Sequence, residues 1–177
     1  MIDKKTLSIW ERQGRIGFIG LGNMGSAIAM RLTKPKIDGL PLMVYDPDSI
    51  KLAPFIDKGA IAAKSASELC KSCDIIFACL PTSAVTETVL FGDAGISSDL
   101  KPGQIFVDMT SGDPAISRDQ AARLAKAGVI FVDAPVSGGP RGAREGTIAI
   151  MVGGEDKLYE QILPTLKVIS SNIFHAG

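Results

Sequence analysis

The sequence predicts a doubly wound α/β domain, a mostly parallel sheet with helices on both faces. Three observations predict it. From Arg15 to Ala134, apolar runs of strand length alternate with segments of helical spacing, the pattern of repeated β-α-β units. The first apolar run enters the first helix through Gly20, Gly22 and Gly25, spaced G-x-G-x-x-G. The residues that interrupt the apolar rhythm gather at the carboxyl ends of the predicted strands, where an open parallel sheet binds its ligands.

Residues 1–14 are polar and mixed in charge, with Trp10 the large apolar group, and read as an N-terminal extension to a domain over 15–177. Residues 7–13 are expected to be partly helical. The segment lacks the apolar centre of a secretory signal, and Asp3 and Glu11 set it apart from a transit peptide. Strand one is predicted over 15–19. Met24, Ile28 and Leu32 then give the spacing of a helix over 23–34, stopped by Pro35. Gly39-Leu40-Pro41 turns into a strand over 42–45, and Asp46-Pro47-Asp48-Ser49 supplies a turn and an N-cap for a helix running to Lys58. A short strand over 59–62 and a short helix over 66–71 follow. The clearest buried strand is 74–80, ended by Pro81. Next come a helix over 83–91, a strand over 104–108, and a helix to Ala127 opened by Asp113-Pro114, with proline in its first turn. The strand over 129–134 closes the alternation. After Pro135 the sequence predicts a glycine-rich loop and an extra β-α-β segment: strand 147–152, helix 156–168 and strand 172–174.

A net charge of zero argues against nucleic acid or an anionic membrane surface as a partner. The longest apolar runs, such as 75–80, are too short to span a bilayer. Three cysteines, an odd number without a secretory signal, point to a reducing compartment. The cytoplasm is expected, with the mitochondrial matrix as the eukaryotic alternative. Cys70 and Cys73 form a lone C-x-x-C, and a redox pair is its minor reading. With one histidine, His175, no metal site is expected. Cys79, inside an apolar run, reads as a small core residue.

The chemistry lies at the strand ends. Gly20 suits the tight turn, Gly22 the approach of backbone to a pyrophosphate, and Gly25 close packing of helix on strand. The free N–H groups from Asn23 and Met24 onward then face the anion. Asp46 follows Gly25 by about 20 residues, the spacing of a carboxylate that accepts from the adenosine ribose hydroxyls. No arginine stands beside it to hold a 2′-phosphate, so NAD is expected over NADP. Leu80-Pro81 ends the fourth strand under the expected position of the nicotinamide ribose. Thr110-Ser111-Gly112 follows the fifth strand with its hydroxyls at the crevice. After the sixth, Ser137, Gly138 and Gly139 offer a hydroxyl and backbone N–H groups suited to a carboxylate or oxyanion. Each segment alone also fits a turn without function; together they surround one groove.

Several of these stretches resemble the β-hydroxyacid dehydrogenases. They are Gly17-Phe18-Ile19-Gly20-Leu21-Gly22-Asn23-Met24-Gly25, Leu80-Pro81, Asp133-Ala134-Pro135-Val136-Ser137-Gly138-Gly139, Gly142-Ala143-Arg144-Glu145-Gly146-Thr147 and Met151-Val152-Gly153-Gly154. That family includes 3-hydroxyisobutyrate dehydrogenase, tartronate semialdehyde reductase and the glyoxylate/succinic semialdehyde reductases, and is related to 6-phosphogluconate dehydrogenase. The resemblance covers residues 15–177, and the segment 133–139 is its most specific part. It implies a Rossmann-type fold with Gly20, Gly22, Asn23, Met24 and Gly25 on the pyrophosphate and Leu80 and Pro81 lining the cofactor groove. It further implies Ser111 near the nicotinamide ribose and Ser137, Gly138 and Gly139 as the clamp on a small carboxylate substrate. Tyr45-Asp46-Pro47 resembles the NAD-using hydroxyisobutyrate branch, whereas NADPH-using relatives typically carry Asn-Arg-Thr. Two departures stand out: Thr110-Ser111-Gly112 replaces the usual Ser-Thr-x, and Val85 stands where that branch often has an asparagine touching the cofactor.

The family's catalytic lysine follows a Gly-x-x-Gly-x-Gly-x-x-x-Lys pattern that His175-Ala176-Gly177 opens. No lysine of this sequence matches it, and Lys157 and Lys167 read as solvated surface residues. The resemblance also implies an all-helical C-terminal domain, which these residues do not contain. The expectation is therefore the NAD-binding domain of an oxidoreductase that moves a hydride between nicotinamide and a small 3-hydroxy carboxylate of the 3-hydroxyisobutyrate type. Alone it is expected to be inactive and to self-associate through apolar surface that a second domain would cover. The rival readings are a glyoxylate/succinic or tartronate semialdehyde reductase and a non-catalytic dinucleotide-binding module.

Overall fold

Strands built from Ile, Phe and Val on both of their faces require cover on both sides, and parallel sheets receive it from crossover helices. The computed structural model describes residues 14–33 and 41–177. The six predicted strands form one parallel sheet: β1 (Ile16–Ile19), β2 (Met43–Tyr45), β3 (Ile61–Ala62), β4 (Ile75–Ala78), β5 (Ile105–Asp108) and β6 (Ile130–Asp133). Their order is β3-β2-β1-β4-β5-β6, so the chain reverses its direction of travel across the sheet between β1 and β4. In register, Phe18 lies beside Val44 and Phe77, and the two phenyl rings stack with centroids 6.3 Å apart. The period of two then divides the apolar residues between two cores. Phe18, Val44, Phe77, Val107 and Val132 face one, and Ile19, Met43, Ile76, Ala78 and Phe106 the other.

Helix α1 (Asn23–Leu32) covers the first core with Ala27, Ile28 and Leu32. Three helices cover the second: α3 (Ala66–Ser72), α4 (Ser83–Phe91) and α5 (Pro114–Ala125), with Leu69, Leu90 and Leu124 at their centres. Each of these three begins at a side-chain cap. Ser65, Thr82 and Asp113 accept from the N–H groups of Glu68, Val85 and Ala115, an interaction each worth about 1 kcal/mol.

Two stretches differ from expectation. The helix expected to reach Lys58 is a 3₁₀ turn over Ser49–Leu52 followed by the single turn α2 (Ala53–Ile56). Pro54 has no N–H to continue a ladder begun at Ser49. Asp48 caps the 3₁₀ turn by accepting from the Ile50 N–H. The glycine-rich loop expected after Pro135 is instead β7 (Val136–Ser137) and helix α6 (Gly139–Glu145). Glycines weaken a helix, but this one packs along α1 and buries Ala143, so tertiary burial outweighs propensity. Gly146, at φ +76°, ends it in the left-handed region.

The expected β-α-β segment is present as β8 (Ala149–Val152), α7 (Asp156–Ile169) and β9 (Asn172–His175). With β7 antiparallel to β8, and β8 parallel to β9, it forms a second, three-stranded sheet. Ile150 and Val152 join the first core, whereas the neighbours Met151 and Phe174 are exposed. Arg31, in the last turn of α1, ties this region down. Its Nε donates to the Val168 carbonyl at 3.1 Å and Nη1 to the Arg144 carbonyl at 3.2 Å, groups at the negative ends of α7 and α6. Among the described residues no helix is long and apolar enough to cross a membrane. The extension 1–13 with its expected helical stretch, the stop at Lys34 and Pro35, and the turn at Gly39-Leu40 lie outside the described residues.

Candidate functional site

At the switch point, the carboxyl ends of β1, β2 and β4 open onto a groove of about 660 Å³. Gly20, Gly22, Asn23, Met24, Gly25, Asp46, Leu80 and Pro81 all line it, so eight of the expected residues meet in one place. The three glycines serve by different means. Gly20 has φ +91°, and a Cβ on it would lie 2.5 Å from the Cys79 carbonyl oxygen. A Cβ on Gly25 would overlap the Gly20 carbonyl oxygen, so that glycine lets α1 press against the turn. Beside Gly22 there is open space, with no atom within 4 Å of a Cβ built there. That space borders the N-terminus of α1, which has neither a side-chain cap nor an acidic residue in its first turn. Uncapped N–H groups facing an open groove fit an anion.

Asp46 is 6% exposed and bonded on both oxygens. Oδ2 accepts from the Leu21 N–H at 2.7 Å, within the glycine turn. Oδ1 accepts from the Asp48 N–H at 2.9 Å and from Lys51 Nζ at 3.1 Å. Burial pushes the Asp46 pKa up, but the Leu21 and Asp48 N–H groups and Lys51 together outweigh it and hold the group below the usual carboxylate value. The carboxylate is thus ionised and braces the glycine turn against the end of β2. Lys51 also lines the groove, a cation beside Asp46 where the sequence reading looked for arginine alone. Nothing in the local pattern marks it, because its pairing depends on the 3₁₀ turn that Asp48 caps.

Cys79 corrects another expectation. The strand expected over 74–80 ends at Ala78, and Cys79 packs against the first core as a partly buried residue that also lines the groove. Burial, then the nearby Asp108, pushes its thiol up to about 11. Val85 lines the groove too, with Val89 and the Asp93-Ala94 loop that follows α4. Nothing in the local pattern marks that loop, which reaches the groove only through the placing of α4.

Ser111, Ser137, Gly138 and Gly139 lie outside the groove lining but near one another. Ser111 Oγ donates to the Val136 carbonyl at 3.2 Å, which ties the loop after β5 to the segment carrying Ser137. Ser137, Gly138 and Gly139 are exposed. Gly138 (φ +126°) and Gly139 (φ +67°) hold conformations that other residues rarely adopt.

A doubly wound sheet in which a glycine turn, an uncapped helix N-terminus and an ionised, buried aspartate meet at the switch point is a dinucleotide-binding domain. Residues 15–177 match the family model of the NAD binding domain of 6-phosphogluconate dehydrogenase, and the chain belongs to that family. It is 40% identical over 167 residues to 2-(hydroxymethyl)glutarate dehydrogenase of Eubacterium barkeri, covering 94% of this chain and 54% of the relative. With human mitochondrial 3-hydroxyisobutyrate dehydrogenase it shares 38% identity over 164 residues, 92% of this chain and 47% of the relative. Mycobacterium tuberculosis 3-hydroxyisobutyrate dehydrogenase, solved with L-serine, superposes with a TM-score of 0.84 at 29% identity, over 93% of this chain and 54% of that one. Psf3, solved with NADP+ and 2-OPP, does so with 0.83 at 30% identity, over 90% and 55%. The chain spans about half the length of the curated relatives it matches.

Proposed function

We propose that the groove at β1 and β4 holds NAD, and that in a protein of its relatives' length this domain serves the oxidation of a small 3-hydroxy carboxylate. The observation that carries the reading is the Asp46 carboxylate beside the open space at Gly22. A carboxylate offers about four acceptor sites, and Leu21, Asp48 and Lys51 occupy three. On this reading the remaining site, on Oδ2, accepts from an adenosine ribose hydroxyl, while Gly20, Gly22, Asn23, Met24 and Gly25 surround the pyrophosphate. Leu80, Pro81 and Ser111 then flank the nicotinamide ribose. Bound NAD supplies a hydride acceptor at its nicotinamide ring.

The substrate class follows from what the relatives' names share. 2-(Hydroxymethyl)glutarate and 3-hydroxyisobutyrate both carry a hydroxymethyl group on the carbon that bears a carboxylate, and so does the L-serine of the mycobacterial structure. That common unit favours a 3-hydroxyisobutyrate type over the glyoxylate or succinic semialdehyde reductases, whereas glycerate, the product of a tartronate semialdehyde reductase, also carries it. Ser137, Gly138 and Gly139 would hold its carboxylate through the hydroxyl and backbone N–H groups. Among the described groove residues the one cation is Lys51, already paired with Asp46. The 177-residue chain is therefore expected to bind the cofactor with little turnover, since loss of a general acid–base costs a factor of about 10²–10⁴. A reducing compartment, the cytoplasm or the mitochondrial matrix, suits its free thiols.

Calorimetric titration of the 177-residue chain tests the cofactor reading. NAD+ is expected to bind about tenfold or more tightly than NADP+, a margin of roughly 1.4 kcal/mol. Equal affinity would overturn the preference, and absence of binding to either would overturn the dinucleotide site. NADH formation from 3-hydroxyisobutyrate at the rate of a whole dehydrogenase would refute the expected inactivity.

A further inference from the structure

Two loops leave the sheet side by side, one from β4 through Leu80 and Pro81 into α4, the other from β5 through Thr110 and Ser111 into α5. The ladder between the strands ends with the Met109 N–H donating to the Ala78 carbonyl at 2.8 Å, and on its other side with the Cys79 N–H donating to the Ile19 carbonyl at 3.0 Å. The next donor along the first loop is the Leu80 N–H, and it must find a partner or stay unpaired. Thr110 Oγ1 accepts it at 3.0 Å. A second stitch follows, from the Asp113 N–H to Ser83 Oγ at 2.8 Å. The loops approach closely enough for it because residue 112 is glycine: a Cβ there would overlap Ser83 Oγ.

Beneath the first stitch lies Asp108, 3% exposed. Its Oδ1 accepts from the Thr110 N–H at 2.9 Å. The Thr110 oxygen, which receives the Leu80 N–H, also accepts from the buried Thr86 hydroxyl at 3.4 Å. The result is a buried network, shielded from water, in which Thr110 accepts from the Leu80 N–H and the Thr86 hydroxyl while its own N–H is held by the Asp108 carboxylate. It ends on the backbone of a residue that lines the groove.

We propose that Asp108, Thr110 and Thr86 are positioning residues for the dinucleotide: they fix the backbone at Leu80 and Pro81, and with it the groove wall that meets the cofactor beyond its pyrophosphate. The inference rests on the groove being the NAD site. None of the three residues touches the groove itself; they act through Leu80. A network that served folding alone would weaken every ligand of the groove alike, whereas a positioning network acts on the nicotinamide half.

Titration with NAD+ and with ADP, which ends at the pyrophosphate, separates the two. Thr110→Val removes the hydroxyl at nearly constant shape. It is expected to weaken NAD+ about three- to tenfold, the worth of one hydrogen bond, and to leave ADP within about twofold. Thr110→Ser, which keeps the hydroxyl, is expected to restore NAD+ binding. If Thr110→Val does not fold, Thr86→Val, one bond further from Leu80, is expected to show the same selective loss. An equal loss for both ligands, or no loss for either, overturns the proposal while leaving the groove as the dinucleotide site. If the unsubstituted chain binds neither NAD+ nor ADP, the groove reading fails first and this one with it.

Discussion

Gly22 and Gly25 belong to one motif, yet a methyl group added to each should act in opposite ways. At Gly25 it would collide with the Gly20 carbonyl oxygen, which is backbone and cannot swing aside. Gly25→Ala should cost about 3 kcal/mol, at the upper end of overpacking, and lower Tm by about 6–12 °C. At Gly22 the methyl group meets open space, and φ −66° suits any residue. Gly22→Ala should leave stability within about 0.5 kcal/mol and weaken NAD+ about tenfold by filling the space proposed for the pyrophosphate. Thermal melting and titration of both variants check this; a stable Gly25→Ala, or a Gly22→Ala that binds normally, would sink it. The spacing of the glycines was legible in the sequence, and so was Asp46 at the end of its strand. The Leu21 N–H bond to Asp46 was not, because it joins residues that only the pairing of β1 with β2 brings together. Lys51 escaped for a nearer reason: pairing with Asp46 depends on the 3₁₀ turn, and a regular helix was expected there.

The strands β2 and β5 each run out into a carboxylate, and the two should titrate with opposite sign. Asp46 at the end of β2 is held below the usual value near 3.8, so its contribution to stability is present above that pH and is lost as pH falls through its lowered pKa. At the end of β5, burial holds Asp108 above that value, against the lowering effect of Thr110 and the neighbouring Thr86 hydroxyl. Stability is therefore lost from this site as pH rises from about 4 toward the raised pKa, and the loss is constant beyond it. Asp46→Asn should melt below the unsubstituted chain at neutral pH, with the gap closing in acid. Asp108→Asn should instead gain on it as pH rises. Melting curves across pH read both differences, and parallel profiles would contradict the assignment. At this scale the strands were the most legible elements, since buried apolar runs between turn residues leave few alternatives. Helix α6 was the least legible. Its glycines argue locally for a loop, and only the flank of α1 supplies the burial that makes it helical.

The alternation of strands and helices implied the parallel sheet, and the glycine turn marked where its crevice lies. The joining of β7 to the C-terminal β-α-β segment could not be read so, because two residues of pairing leave no periodicity. That second sheet presents Met151, 36% exposed, next to Phe174, 56% exposed. We propose this pair as the centre of the expected self-association, since adjoining apolar side chains form a contiguous patch whereas singly exposed ones do not. Phe174→Glu should shift sedimentation at high concentration toward the monomer with little change in Tm; a chain that is monomeric throughout, or unaffected by the substitution, would rule it out.

The residues lining the groove all fall between Ile19 and Ile96, and those expected to hold the acid come later, from Ser137. During synthesis the chain emerges from its N-terminus, so the nucleotide half of the site leaves the ribosome before the acid half exists. Until residues 105–108 follow, β4 stands as an open apolar edge, the kind of edge that recruits other strands. A nascent chain that has already met its nucleotide would have the β1–β4 half of the sheet held together during that interval.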